Sequence, residues 1–375
     1  MAKRKELTES ERREAVKRMV RYDRDNAKYS VAGKIIRLIA ISGLATDKAA
    51  YLIDGYSNEV IRRRIYTLQH YGLIKRKHGY MQLKNLKKTY PEIEPYVDDI
   101  PKETVEWGLQ RAKTASNPSD KQRLGNNSEI ACHIINLNEE IFTRTSEIKE
   151  RGYVSSINIK KEFQINDLAR TRAKGMLIDR TYNMSFVFYY INERDLKIYE
   201  MGIENRYKSL SKTKQMFNVF VMNKIEKIYN LFELEVNEKK KGSRARKITL
   251  DKIRGEKTLI FPNIKTTHNL MRFYFLPGMV NVINRLYPKN HNKMSEVDLI
   301  DGNNATFYFL YPDLHRLRRI YLIMQGDKYE SYNIITLIDY KDMIEGIKER
   351  LGIEIGTTYI TLDEIENKII GRQDT

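Results

Sequence analysis

The sequence predicts an α+β protein, in which a small basic module of helices and a β-hairpin precedes a larger α/β domain with a mixed sheet. Three observations predict it. Apolar residues recur at helical spacing over 31–42 and 58–71, with capping residues and glycines at the ends, and two short strand-like runs follow within 73–83. Strand-like and helix-like runs then alternate from 305 to 351. Finally, the charge is lopsided. The 375 residues hold 67 Lys+Arg against 49 Asp+Glu, a net of +18. Residues 1–90 hold 22 basic and 9 acidic residues, a net of +13, and the rest hold 45 and 40. A basic module on a near-neutral body suits an anionic partner.

The first element is a helix over 8–22. Thr8 is placed to cap it, Glu9 and Glu11 fall in its first turn, and Arg18 and Arg21 fall in its last. Residues 1–30 thus read as a basic arm with a helix. A second helix covers Val31 to Ser42 and stops at Gly43. Thr46 caps a short third helix over 47–53, and Asp54-Gly55-Tyr56 makes a tight turn. Ser57 caps a fourth over 58–71, with Val60, Ile61, Ile65, Leu68 and Tyr71 expected inward. Gly72 ends it. Two strands follow around a turn at His78-Gly79.

Helix, helix, turn, helix, hairpin is the order of a winged helix-turn-helix, assigned here to residues 31–84. In such modules the helix after the turn enters the DNA major groove. Its exposed face would carry Ser57, Asn58, Arg62, Arg63 and Tyr66, and the wing would carry Lys75, Arg76, Lys77 and His78. Arginine can bond guanine bidentately, asparagine can bond adenine, and lysines suit phosphates.

Residues 85–127 read as a linker holding one short helix over 102–113 with the single tryptophan, Trp107. The α/β domain is placed at 128–375. It opens with a helix over 128–142. Strands follow at 173–179, 184–191 and 196–201, then a long helix over 211–235 and a basic loop at 239–247. Further on come strands at 258–261 and 272–275, a helix over 278–287, and strand–helix–strand–helix over 305–311, 314–324, 332–338 and 340–351. The unit around 305–338 reads as a right-handed β-α-β crossover.

Chemistry is sparse. The single cysteine, Cys132, excludes a disulfide framework and sits among isoleucines as an inert thiol. The six histidines are scattered, and no phosphate loop or nucleophile elbow is present. Pro312-Asp313 and Asp339-Tyr340-Lys341 each follow a strand. They resemble the Pro-Asp…(Asp/Glu)-x-Lys signature of restriction-type nucleases, with a helix intervening that the signature lacks. Asp313, Asp339 and Lys341 are therefore the alternative catalytic set, with Mg²⁺ as its cofactor. Both aspartates also precede helices, where a carboxylate commonly caps, and helix capping is the expected role.

The order of these segments carries a wider resemblance. After the wing come Gly125-Asn126-Asn127-Ser128-Glu129-Ile130, Thr145-Ser146-Glu147-Ile148-Lys149 and Arg170-Thr171-Arg172-Ala173-Lys174-Gly175-Met176-Leu177, then Tyr311-Pro312-Asp313-Leu314-His315-Arg316-Leu317. The chain resembles the replication-relaxation-like family of DNA-binding proteins carried on plasmids and conjugative elements of Gram-positive bacteria. The resemblance implies DNA binding in replication, maintenance or transfer of a mobile element, and it supplies no catalytic residues. The expected protein is cytoplasmic, with neither an apolar leader in Met1 to Ser10 nor an apolar run long enough to span a bilayer. Its expected partners are double-stranded DNA, a second copy or other mobile-element proteins, with no membrane and no cofactor. A nuclease and a ligand-responsive repressor are the alternatives.

Overall fold

The computed structural model describes residues 7–115, 117–163, 173–191, 204–232, 257–287 and 296–370. The chain forms two compact units: Met1–Tyr190 with Leu210–Thr213, and Ile191–Ser209 with Lys214–Thr375. The protein is α+β with mixed sheets, as expected at that level.

In the first unit, α1 (Glu9–Asp23) starts on the expected cap, with Thr8 N–H donating to Glu11 (2.8 Å) and Glu11 N–H donating to Thr8 Oγ1 (3.2 Å). It is docked, not a free arm: Arg12 pairs with Glu92 at 3.2 Å. α2 (Val31–Ser42) is the central helix. Ser30 caps it, and every residue in it except Lys34 is buried. A helix buried all round needs neighbours on every side. They are supplied by α4 (Asn58–His70), α5 (Leu86–Val97), α6 (Lys102–Thr114) and α7 (Pro118–Leu137). α3 (Asp47–Tyr51) is capped by Thr46.

The hairpin is β2 (Ile74–Lys77) and β3 (Tyr80–Leu83), in the register Ile74↔Leu83. His78 and Gly79 both have positive φ, 52° and 76°, as the tightest two-residue hairpin turn requires. A two-residue strand that the sequence did not suggest, β1 (Ala45–Thr46), adds to β3, giving the order β1-β3-β2.

Residues 85–127 are not a linker. They are helical almost throughout, and the expected boundary at 127/128 falls inside α7. Prolines 91 and 95 misdirect the reading. Both lie on the exposed side of α5, while Thr89, Ile93, Tyr96 and Val97 form a buried stripe at helical spacing. That packing outweighs the two lost backbone bonds. α7 is polar in its first two turns and buried from Ser128 to Asn136. Its Asn136 side chain ties down α3, donating to Leu52 O (2.9 Å) and accepting from Asp54 N–H (3.2 Å). The helix module is thus completed by residues well beyond 84. The unit continues with β4 (Arg151–Ser155), α8 (Ser156–Phe163), β5 (Ala173–Asp179) and β6 (Met184–Ile191), antiparallel neighbours in that strand order. α9 (Glu204–Ser211) follows in the chain, its residues up to Ser209 belonging to the second unit.

The second unit differs from expectation in two places. The long helix over 211–235 is instead β7 (Gln215–Met222) with a short α10 (Tyr229–Phe232) after it. β7 pairs in parallel with β8 (Lys257–Pro262). All but its first residue are buried, Asn218 included, and a run buried on both faces carries no polar–apolar period by which helix and strand differ. The strand expected at 272–275 is the end of α11 (Thr267–Tyr274), whose buried Thr267, Leu270, Met271 and Tyr274 fall at helical spacing. The expected strand at 196–201 and basic loop at 239–247 lie outside the described residues.

The remaining elements follow the alternation. They are α12 (Met279–Leu286), β9 (Leu299–Asp301), β10 (Asn304–Phe309), α13 (Leu314–Gln325), β11 (Ser331–Leu337), α14 (Lys341–Leu351), β12 (Ile355–Ile360) and α15 (Leu362–Ile370). Their sheet has the order β12-β11-β10-β9. β9–β10 is antiparallel and the other two pairs are parallel, so the mixed sheet and the β-α-β unit are both present. Among the described residues no helix is long and apolar enough to cross a membrane.

Candidate nucleic-acid interface

α4 is set by its two ends and one stripe. Ser57 Oγ accepts the Val60 N–H (3.4 Å), and Gly72, at φ 72°, turns the chain into β2. Ile61, Ile65 and Leu68 are buried. Val60, expected inward, is 43% exposed, because it lies one residue off that stripe on the outer face. Asn58, Glu59, Arg62, Arg63 and Tyr66 are exposed with it.

The two arginines do not point at random. Glu59 pairs with both Arg62 and Arg63, the latter at 2.8 Å. The hydrogen bond from Arg63 holds the Glu59 carboxyl below the usual carboxylate range. The outward face of α4 is therefore a partly neutralised cluster of two cations and one anion.

The hairpin residues divide. Arg76 makes two bonds to the Asp47 carboxylate (3.0 and 2.5 Å), and its guanidinium lies 5.5 Å from the centre of the Tyr66 ring. These hydrogen bonds hold its proton even more firmly than an ordinary guanidinium does. Arg76 is spent on joining β2 to α3 and α4, and Tyr66 shares in that joint. Lys75, Lys77 and His78 are exposed.

They border a groove of about 630 Å³ between the hairpin and the α6–α7 pair. Its far side carries Lys113 and Lys121, Leu44, Tyr80 and Met81 also line it, and among the described residues no carboxylate does. Lys113 and Lys121 were missed in the sequence. They fall in the stretch that reads as a linker, and only the packing of α6 and α7 brings them near the hairpin.

Comparison of the chain with family models, with curated proteins and with solved structures finds no match.

The alternative catalytic set is dispersed in role. Asp313 caps α13, its Oδ1 accepting the His315 and Arg316 N–H groups at 2.9 and 3.4 Å. Asp339, expected to cap α14, does not. It sits in a 3₁₀ turn before that helix and accepts a hydrogen bond from Thr266 Oγ1 (3.0 Å). The extra turn displaces the carboxylate from the helix start. Lys341 is exposed at the head of α14. Among the described residues no three His, Cys, Asp or Glu side chains converge as a metal site. Asp313→Ala is expected to cost about 0.5–2 kcal/mol of stability. Asp339→Ala should cost less, since it removes one exposed bond. Urea unfolding of both variants, with and without Mg²⁺, checks this, and a Mg²⁺-dependent stabilisation lost in either would restore the nuclease reading. Cys132 is buried and carries no exposed thiol chemistry.

Proposed function

We propose that residues 31–84 are a winged helix-turn-helix that binds duplex DNA. In this reading α4 presents Asn58, Arg62 and Arg63 to the major groove, and Lys75, Lys77 and His78 hold backbone phosphates. The observation that carries it is the cationic groove beside the wing. Lys75, Lys77 and Lys113, all exposed, and the half-buried Lys121 border one channel, and among the described residues no carboxylate lines it. Lys113 and Lys121 extend the phosphate track beyond the wing. The resemblance to replication-relaxation-like proteins supports a role in replication, maintenance or transfer of a mobile element, with a second copy or other element-encoded proteins as further partners.

The test is fluorescence anisotropy of the full-length chain on a duplex of some thirty base pairs as salt is raised. Each phosphate contact contributes a slope of about −0.9 to log K against log salt, so four lysines give roughly −3.6. Lys113→Gln with Lys121→Gln should flatten it by about 2 and weaken all sequences alike. Absence of binding at roughly 50 mM salt, where phosphate contacts are strong, would sink the proposal.

A further inference from the structure

A second cationic pocket lies in the same unit. It holds about 260 Å³ among α6, α7, α8 and the start of β5, and Arg111, Arg123, Lys160, Lys161 and Lys174 line it, with no carboxylate among the described lining residues. One anion stands behind it: Asp120, 3.0 Å from Arg123 and 3.7 Å from Arg111. Among the described residues no carboxylate pairs with Lys160. Burial, then Arg123 and Arg111, push its ammonium down to about 8. Burial and Arg111 push the Arg123 guanidinium the same way, against the pull of Asp120. Asn127, also in the lining, has a buried Oδ1 with no hydrogen-bond partner, while its Nδ2 donates to Ser156.

Like charges gathered in a half-buried pocket repel one another unless an anion joins them. Two guanidinium forks and an ammonium match the tetrahedral oxygens of a phosphoryl group. A ligand hydroxyl would satisfy Asn127 Oδ1. We propose that Arg111, Arg123 and Lys160 form a receptor for the phosphoryl group of a small hydroxyl-bearing phosphate ester.

The phosphate could instead belong to DNA. The helix geometry argues for a free ligand. Arg111 and Arg123 each stand two residues from Lys113 and Lys121, and two residues along a helix are roughly 200° apart. The pocket thus lies on the other side of the α6–α7 pair from the groove beside the wing.

The experiment uses the full-length chain with inorganic pyrophosphate as probe. An amine-acylating reagent is applied across a pH series, and Lys160 modification is read by mass spectrometry. Without pyrophosphate, Lys160 should reach half its maximal rate near pH 8. Pyrophosphate should raise that midpoint, because an anion favours the charged form. At about ten times its dissociation constant it should slow Lys160 acylation roughly tenfold and raise the melting temperature. A duplex without terminal phosphates should leave Lys160 reactive. Lys160→Met should melt higher than the parent without ligand and lose the thermal response to pyrophosphate, and Arg123→Gln should lose the response too. The proposal is overturned if pyrophosphate neither protects Lys160 nor stabilises the chain, or if Lys160→Met keeps the response. It is equally overturned if the duplex alone protects Lys160, which would assign the pocket to the DNA path.

Discussion

Gly43→Ala is expected to destabilise the protein by about 2–5 kcal/mol, the sum of two separable costs. Gly43 has φ 77°, in the region where an L side chain meets its own backbone. Adopting it costs alanine about 1–2 kcal/mol. The second cost is contact. A Cβ at Gly43 would lie 2.1 Å from the carbonyl oxygen of Gly108, so α2 and α6 would have to part. Overpacking of that kind costs about 1–3 kcal/mol. Gly55→Ala is the control. Gly55 has φ 83°, but a Cβ there meets nothing within 4 Å, so it should show the backbone cost alone. Urea unfolding of the two variants measures both. If they lose the same stability, the close approach of α2 to α6 is not what Gly43 serves. Against a total stability of about 5–15 kcal/mol, the loss expected for Gly43→Ala is large. It should also weaken DNA binding, since α2 is the helix against which α4 packs.

What the sequence disclosed follows from how local each signal is. α2 is legible from its apolar period, and α3, α4 and the hairpin because Thr46 and Ser57 cap, Gly43 and Gly72 stop, and His78-Gly79 turns within a few residues of the structure they decide. β10, α13, β11 and α14 are legible for the same reason. α5 was hidden by two prolines that only tertiary packing tolerates. β7 was hidden because burial over its length erases the alternation that marks a strand. The candidate sites split along the same line. Asn58, Arg62 and Arg63 are visible on one helix face. Lys113 and Lys121 are not, and neither is the cluster of Arg111, Arg123 and Lys160, because three helices distant in sequence must first pack. Arg76 shows the converse. Its position in a basic wing suggested a phosphate contact, and only the structure reveals Asp47 on the neighbouring helix taking its charge.

Arg62→Ala and Arg63→Ala are expected to cost about 1–3 kcal/mol each on the preferred DNA site, roughly 5- to 150-fold in affinity, and much less on random duplex. The reasoning rests on where their charges now go. Both are held by Glu59, an exposed carboxylate that is ionised at neutral pH and whose pKa the Arg63 hydrogen bond lowers further. In the free protein Glu59 holds both arginines against the exposed face of α4. In the proposed complex it would face phosphates of its own sign, so the pair would have to open before the guanidiniums reach base edges. Glu59→Gln removes that anion. Affinity should then rise on every duplex, because electrostatic attraction does not read sequence. Discrimination should fall, because the arginines lose the partner that orients them. Acidification cannot mimic the substitution until the pH drops below the lowered pKa. Selection of bound duplexes from a random pool would define the preferred site, and anisotropy on that site and on scrambled DNA would measure each variant. Equal losses on both duplexes for Arg62→Ala and Arg63→Ala, with Glu59→Gln unchanged, would remove α4 from base recognition and leave the wing groove as a non-specific anchor.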